Sequence, residues 1–128
     1  MGSMDKANGP RISKEEVKDM LGTHDLVVID VRTPSLYKSS KLQIQGAVRE
    51  DPDRVKSWEG KYAKDKTIVL YCSWPNEETS ARVAQELMTT GFKKAYALKG
   101  GWHDWVEAKF PTEEKWIHNL LQRYELLL

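Results

Sequence analysis

Thr67-Ile68-Val69-Leu70-Tyr71-Cys72, continued by Ser73-Trp74-Pro75-Asn76-Glu77-Glu78-Thr79-Ser80-Ala81, decides the fold. It begins as an unbroken apolar, β-branched run, the pattern of a strand buried on both faces. The run ends on the one cysteine of the chain. A short polar loop follows, and a helical pattern starts at about Thr79. Strand, terminal cysteine, tight loop and helix start together predict an anion cradle, in which loop amides and a helix N-terminus converge beside a thiol.

Working outward, a second buried strand is predicted over Asp25 to Val31, ending in Asp30-Val31-Arg32 before a turn at Thr33-Pro34-Ser35. Upstream of it, Ser13-Lys14-Glu15-Glu16 is a capping box, with Val17, Met20 and Leu21 at helical spacing and Gly22 as the stop. Leu36 and Tyr37 suggest a short helix, Lys38 to Gln45 a loop, and Gly46-Ala47-Val48 a brief extended segment. Val55, Trp58 and Tyr62 share a helical face. Beyond the cysteine, Ala81, Ala84, Leu87 and Met88 form an amphipathic stripe that stops near Gly91, and Phe92 to Leu98 is a further strand. Gly100-Gly101-Trp102-His103-Asp104-Trp105 opens another short helix. A last helix is predicted from Thr112 to the end. Strands and helices alternate, so the expected fold is α/β: a small, mostly parallel sheet of four to five strands with helices on both faces. Sites in such sheets lie at the C-terminal strand ends, where Cys72 falls.

The totals agree. A chain of 128 residues with 40% apolar composition is enough for one domain with a real core. A net charge of +1 with dispersed signs suggests neither a nucleic-acid nor a membrane partner. One cysteine excludes an internal disulfide and a cysteine-based zinc site, and a reducing cytoplasm is the default compartment. Met1-Gly2-Ser3-Met4 reads as an expression scar, and the polar stretch through Gly9-Pro10 as a flexible lead-in. Residues 1–10 thus precede a domain over 11–111, and 112–128 form a C-terminal helix extension.

The order Asp30-Val31-Arg32-Thr33-Pro34, Gly46-Ala47, Ile68-Val69-Leu70-Tyr71-Cys72, Gly91-Phe92 and Gly100-Gly101-Trp102-His103-Asp104-Trp105 resembles a single-domain rhodanese. The loop form Cys-x-x-Pro-x-Glu-x-Thr-Ser-Ala, with Asp51-Pro52 soon after Gly46-Ala47, resembles one branch of bacterial rhodanese-like domains. The resemblance implies sulfur transfer. Cys72 would be the nucleophile, taking sulfur from a donor such as thiosulfate or a low-molecular-weight persulfide and passing it to a thiol or cyanide. Amides of Ser73, Trp74, Pro75, Asn76, Glu77, Glu78, Thr79 and Ser80 form the loop around the anion, proline offering none. No cofactor and no metal is implied. The partners implied are a small-molecule sulfur donor and a thiol acceptor.

Departures from the family pattern matter. The loop is about two residues longer than usual and carries no basic residue before Arg82. It is similar in length to the loops of rhodanese-related phosphatases, but Glu77-Glu78 stands where those need an arginine, which excludes phosphatase activity. The two carboxylates oppose a thiolate and a dianionic donor, while the amides favour both. Glu77 and Glu78 read as solvated first-turn residues, with Glu78 as a gate against anions the less favoured alternative. Thr79 and Ser80 read as helix caps, as donors to a persulfide, or both; Trp74 as packing or the rim of an acceptor pocket; Asn76 as a turn residue. Asp30 and Arg32 read first as a structural ion pair and second as pocket support. The stripe Trp116, Leu120, Leu121 and Tyr124, with Leu126-Leu127-Leu128, makes the C-terminal helix a candidate for dimerisation or for docking a protein partner. Two other functions compete with sulfur transfer. One is a catalytically weak or inactive rhodanese-like binding or regulatory module. The other is redox sensing through a Cys72 sulfenate, which lacks a resolving cysteine in the chain.

Overall fold

A computed structural model describes residues 10–73 and 77–116. The strands are β1 (Arg11–Ile12), β2 (Leu26–Asp30), β3 (Leu42–Ile44), β4 (Val48–Arg49), β5 (Thr67–Tyr71), β6 (Lys94–Leu98) and β7 (Thr112–Glu114). The helices are α1 (Lys14–Met20), α2 (Pro34–Ser39), α3 (Val55–Trp58), α4 (Glu78–Thr89) and α5 (Gly101–Glu107). Five strands form one sheet in the order β1-β6-β5-β2-β4, and every pairing in it is parallel. This is the expected α/β architecture.

β5 is central because all five of its residues are buried, and no edge position would hide them. Its alternation builds two cores. Ile68 and Leu70, with Cys72 in phase beyond the strand end, pack with Val55, Trp58, Val83, Ala84 and Leu87 of α3 and α4. Val69 and Tyr71 pack on the other face with Val17, Leu98 and Trp105. Burying an aliphatic side chain of this size contributes about 1.5–3 kcal/mol, so Leu70→Ala, which adds a cavity, costs about 2–5 kcal/mol.

The capping box at α1 is formed. Glu16 N donates to Ser13 Oγ at 3.1 Å, and Ser13 N donates back to Glu16 Oε1 at 3.4 Å. Gly22, at φ +85°, takes the left-handed position that ends the helix.

Two expectations need correcting, and one strand was not anticipated. No periodicity marks β1, since two residues are too few to carry one, yet it pairs with β6 as a sheet edge. Lys38 to Gln45 is not a loop throughout: α2 runs to Ser39 and β3 follows. Thr112–Glu114 is not helix but β7, antiparallel to β3 with Gln43 opposite Glu113. The cause is tertiary. β3 offers an open edge, Gln43 Nε2 donates to Glu113 Oε2 at 2.7 Å, and the carbonyl of Pro111 is taken by Gln45 N and by Trp105 Nε1. Trp116 is exposed; the rest of the expected C-terminal helix, including Leu120, Leu121 and Tyr124, lies outside the described residues. Among the described residues, no helix is long and apolar enough to cross a membrane.

Candidate active site

Cys72 leaves β5 at its C-terminal end with 5% of its surface exposed. Its Sγ lies 3.4 Å from Ser80 Oγ, in the first turn of α4. The geometry is a relay: the thiol donates to the Ser80 hydroxyl, and the hydroxyl donates to the Glu77 carbonyl at 3.1 Å. A hydroxyl proton rotates freely about its C–O bond, so Ser80 can turn and donate to sulfur once the thiol is ionised. The first intrahelical bond of α4 is Ala81 N to Glu77 O, which leaves the amides of Glu78, Thr79 and Ser80 without helical acceptors at the end that holds the sulfur.

Glu77 departs from expectation. It is buried, with its backbone in the left-handed region at φ +57°. Its carboxylate pairs with Arg11 Nε of β1 and accepts the Gly100 amide at 2.8 Å. It is therefore a latch between the end of the cysteine loop, the first strand and the turn before α5, and not a solvated residue. A left-handed non-glycine residue costs about 1–2 kcal/mol, and the two partners hold it there. Glu78 is exposed, as expected. Glu77, and neither Thr79 nor Ser80, occupies the N-cap position, and no side chain caps the helix. Trp74, Pro75 and Asn76 lie outside the described residues.

The backbone of Cys72 is fixed from α5. Trp102 N donates to Cys72 O at 2.9 Å. Gly101 sits so close that a Cβ there would meet the same oxygen at 2.5 Å, and its φ is +58°. The Gly-Gly-Trp motif thus clamps the strand end that carries the thiol. The sequence marks the motif without assigning it this task. Nothing in the sequence signals that Arg11 answers Glu77 across 66 positions.

Asp30 and Arg32 form a buried cluster beside this clamp. Arg32 Nη2 reaches Asp30 Oδ2 at 2.6 Å and Leu42 O at 3.0 Å, and Tyr71 Oη donates to Asp30 Oδ2 at 2.9 Å. The guanidinium lies 4.6 Å from the Trp102 ring centroid and 5.5 Å from that of Tyr71. The arginine is consumed by carboxylate, carbonyl and rings, which is the structural reading of the pair. Burial and the Asp30 carboxylate push the Tyr71 phenol well above its ordinary value.

Beside the strand end lies a largely apolar groove of about 380 Å³ lined by Ser73, Trp102, His103, Val106 and Glu107. On the same helix, His103, Asp104 and Glu107 each bring one ligand atom within 4.8 Å of the others, the only such metal-capable group among the described residues. These side chains are exposed or half-buried.

A fully parallel sheet with a cysteine loop between its central strand and a helix defines the class: an α/β protein with a cysteine at the C-terminal end of its central strand. Residues 13–108 match the rhodanese-like domain family, and the chain belongs to it. Thiosulfate sulfurtransferase GlpE of Coxiella burnetii is 31% identical over 104 residues, covering 81% of this chain and 92% of that protein. The tRNA uridine(34) hydroxylase of Acinetobacter baumannii is 31% identical over 117 residues, covering 84% of this chain but 35% of that protein. A crystal structure of a Lactobacillus plantarum protein superposes with a TM-score of 0.72 at 27% identity, covering 81% of this chain and 87% of that one.

Proposed function

We propose that the protein is a sulfurtransferase that carries sulfane sulfur as a Cys72 persulfide. One observation carries this reading: the lone thiol lies at the C-terminal end of the central strand, at the helix start and 3.4 Å from Ser80 Oγ. The family membership and the GlpE relatives support it. In the donor step the Cys72 thiolate attacks the outer sulfur of thiosulfate. A sulfur–sulfur bond forms at Sγ, the donor's sulfur–sulfur bond breaks, and sulfite leaves with the electron pair. With a persulfide donor, a thiolate leaves instead. The loop and helix amides and the Ser80 hydroxyl stabilise the anion, and no residue here must supply a proton.

Intact-protein mass spectrometry tests this after incubation with thiosulfate and, separately, with a low-molecular-weight persulfide. A gain of one sulfur atom, removed by added thiol and absent in Cys72→Ser, is the expected result. No gain from either donor overturns the proposal. It would favour a non-catalytic binding module, a reading supported by the 5% exposure of Cys72 and by the absence of Lys or Arg among the described loop residues.

A further inference from the structure

The carboxyl ends of β2 and β4 gather positive charge that the described residues do not balance. The Tyr37 ring of α2 is the common point. Lys115 Nζ lies 3.7 Å from its centroid, the Arg49 guanidinium 4.6 Å and that of Arg32 5.7 Å. Among the described residues, one carboxylate answers these cations. Asp30 pairs with Arg32 at 2.6 Å and with Arg49 at 3.7 Å. Its Oδ1 already accepts from Arg32 N and Nε, and its Oδ2 from Arg32 Nη2 and Tyr71 Oη. The close pair is therefore Asp30 with Arg32, and two positive charges are left over. The carboxylates beside Lys115 in sequence turn elsewhere: Glu113 accepts from Gln43 Nε2, and Glu114 from Trp116 Nε1. Burial and Arg32 push the Lys115 ammonium below its ordinary value; Arg49 adds to this and Asp30 opposes it.

Both surplus cations keep donors to spare. Arg49 bonds through Nη1, to the carbonyls of Arg32 and Asp30, and its Nε and Nη2 take no hydrogen-bond partner among the described residues. Lys115 Nζ donates to the Tyr37 carbonyl and has two further protons. Both side chains are half-buried. They share one ring, so a tetrahedral anion, about 8 Å across with a hydrogen bond on each side, can bridge them. The place suits a ligand as well. Ligands of parallel sheets bind outside the carboxyl ends of strands, and Asp30 and Arg49 are the last residues of β2 and β4.

We propose that Arg49 and Lys115, set on the Tyr37 ring, form a site for a tetrahedral dianion of the phosphate or sulfate kind. Two surplus positive charges match its two negative ones. The guanidinium edge of Nε and Nη2 fits two of its oxygens, and the ammonium takes a third. The site makes no use of Cys72, so it stands or falls apart from the persulfide reading.

The test titrates the whole chain by calorimetry with inorganic phosphate, sulfate and phenyl phosphate at about pH 8, where each is a dianion. Chloride holds the ionic strength constant. Phosphate and sulfate should bind with a Kd of about 0.05–5 mM, the range for two charge-assisted hydrogen bonds. Arg49→Gln and Lys115→Gln should each weaken binding at least about fivefold. Lys56→Gln, at an exposed position of α3, should leave it unchanged. A second readout needs no variant: about 50 mM phosphate should slow acetylation of Lys115 at least about threefold in peptide mass mapping, and leave that of Lys56 as it was. Tighter binding of the ester than of the free ions supports a site for a phosphate group carried on a larger molecule, and weaker binding supports a site for the free ion. An unchanged acetylation rate at Lys115, or binding that neither Arg49→Gln nor Lys115→Gln weakens, overturns the inference.

Discussion

Ser80 is the residue whose side chain meets the sulfur, and its hydroxyl has two states to choose between. It accepts from the thiol or donates to the thiolate, and in both it stays within reach of Glu77 O. Ser80→Ala removes that second state. Sulfur uptake should fall about tenfold, equivalent to about 1.4 kcal/mol, the scale of one hydrogen bond to an anion. The loss of folding stability should stay near 1 kcal/mol in a denaturant titration. Uptake at the wild-type rate would reduce Ser80 to a helix residue. Arg32 is different: its guanidinium holds Asp30 and the Leu42 carbonyl beside the clamp. Arg32→Ala leaves Asp30, which has no exposed surface, without its bidentate partner. Removing one member of such a buried pair costs about 3–5 kcal/mol, readable as a lower denaturation midpoint at unchanged slope.

At the scale of elements, the loop between β5 and α4 is held at its exit by Glu77 and at its entry by the clamp from α5. Substitutions at position 77 separate strain from latch. Glu77→Gly relieves the left-handed backbone but gives up Arg11 and the Gly100 amide, while Glu77→Ala gives up both and keeps the strain. The expected order of stability is wild type, then Gly, then Ala, with the Gly variant about 1 kcal/mol above the Ala variant. An Ala variant as stable as wild type would mean that the latch contributes nothing. Gly101→Ala drives a methyl group toward the Cys72 carbonyl in a backbone region that L-residues avoid. It should cost more than about 2 kcal/mol and slow sulfur uptake together. The elements that frame the site were readable in advance because they are long and periodic. The β5 run, the α4 stripe and the α1 capping box each carry their own signal, and so does the place of Cys72 between the first two. Glu77 was misread because a carboxylate in a first helical turn is ordinarily solvated. Its burial is decided by Arg11 and Gly100, which no local pattern brings near. The strand at Thr112–Glu114 was misread for a like reason, since its partner edge at Leu42–Ile44 is too short to show a period.

For the molecule as a whole, two phenols contribute to the alkaline loss of stability. Burial, a hydrogen bond to Glu50 and its charge raise Tyr62, and burial with the Asp30 carboxylate raises Tyr71. Both hold their protons more tightly folded than unfolded. Above about pH 10 the unfolded chain therefore binds fewer protons than the folded one, and stability falls as pH rises. Below that value this contribution is complete and flat. Denaturant midpoints should be level from pH 8 to 9.5 and decline beyond pH 10, and Tyr62→Phe should make the decline shallower. An unchanged slope in that variant would remove Tyr62 from the account. The same global view shows how the topology orders assembly. The site is sewn from Arg11, Glu77 and Gly100–Trp102, and the edge strand at Arg11–Ile12 has its place only beside Lys94–Leu98. During translation Cys72 emerges 29 positions before Gly101 (101 − 72). At about 5–20 residues per second that is an interval of about 1.5–6 seconds in which the strand end that carries the thiol lacks its clamp. The strand end that holds the thiol is thus made early and fixed late, by residues that follow the last strand of the sheet.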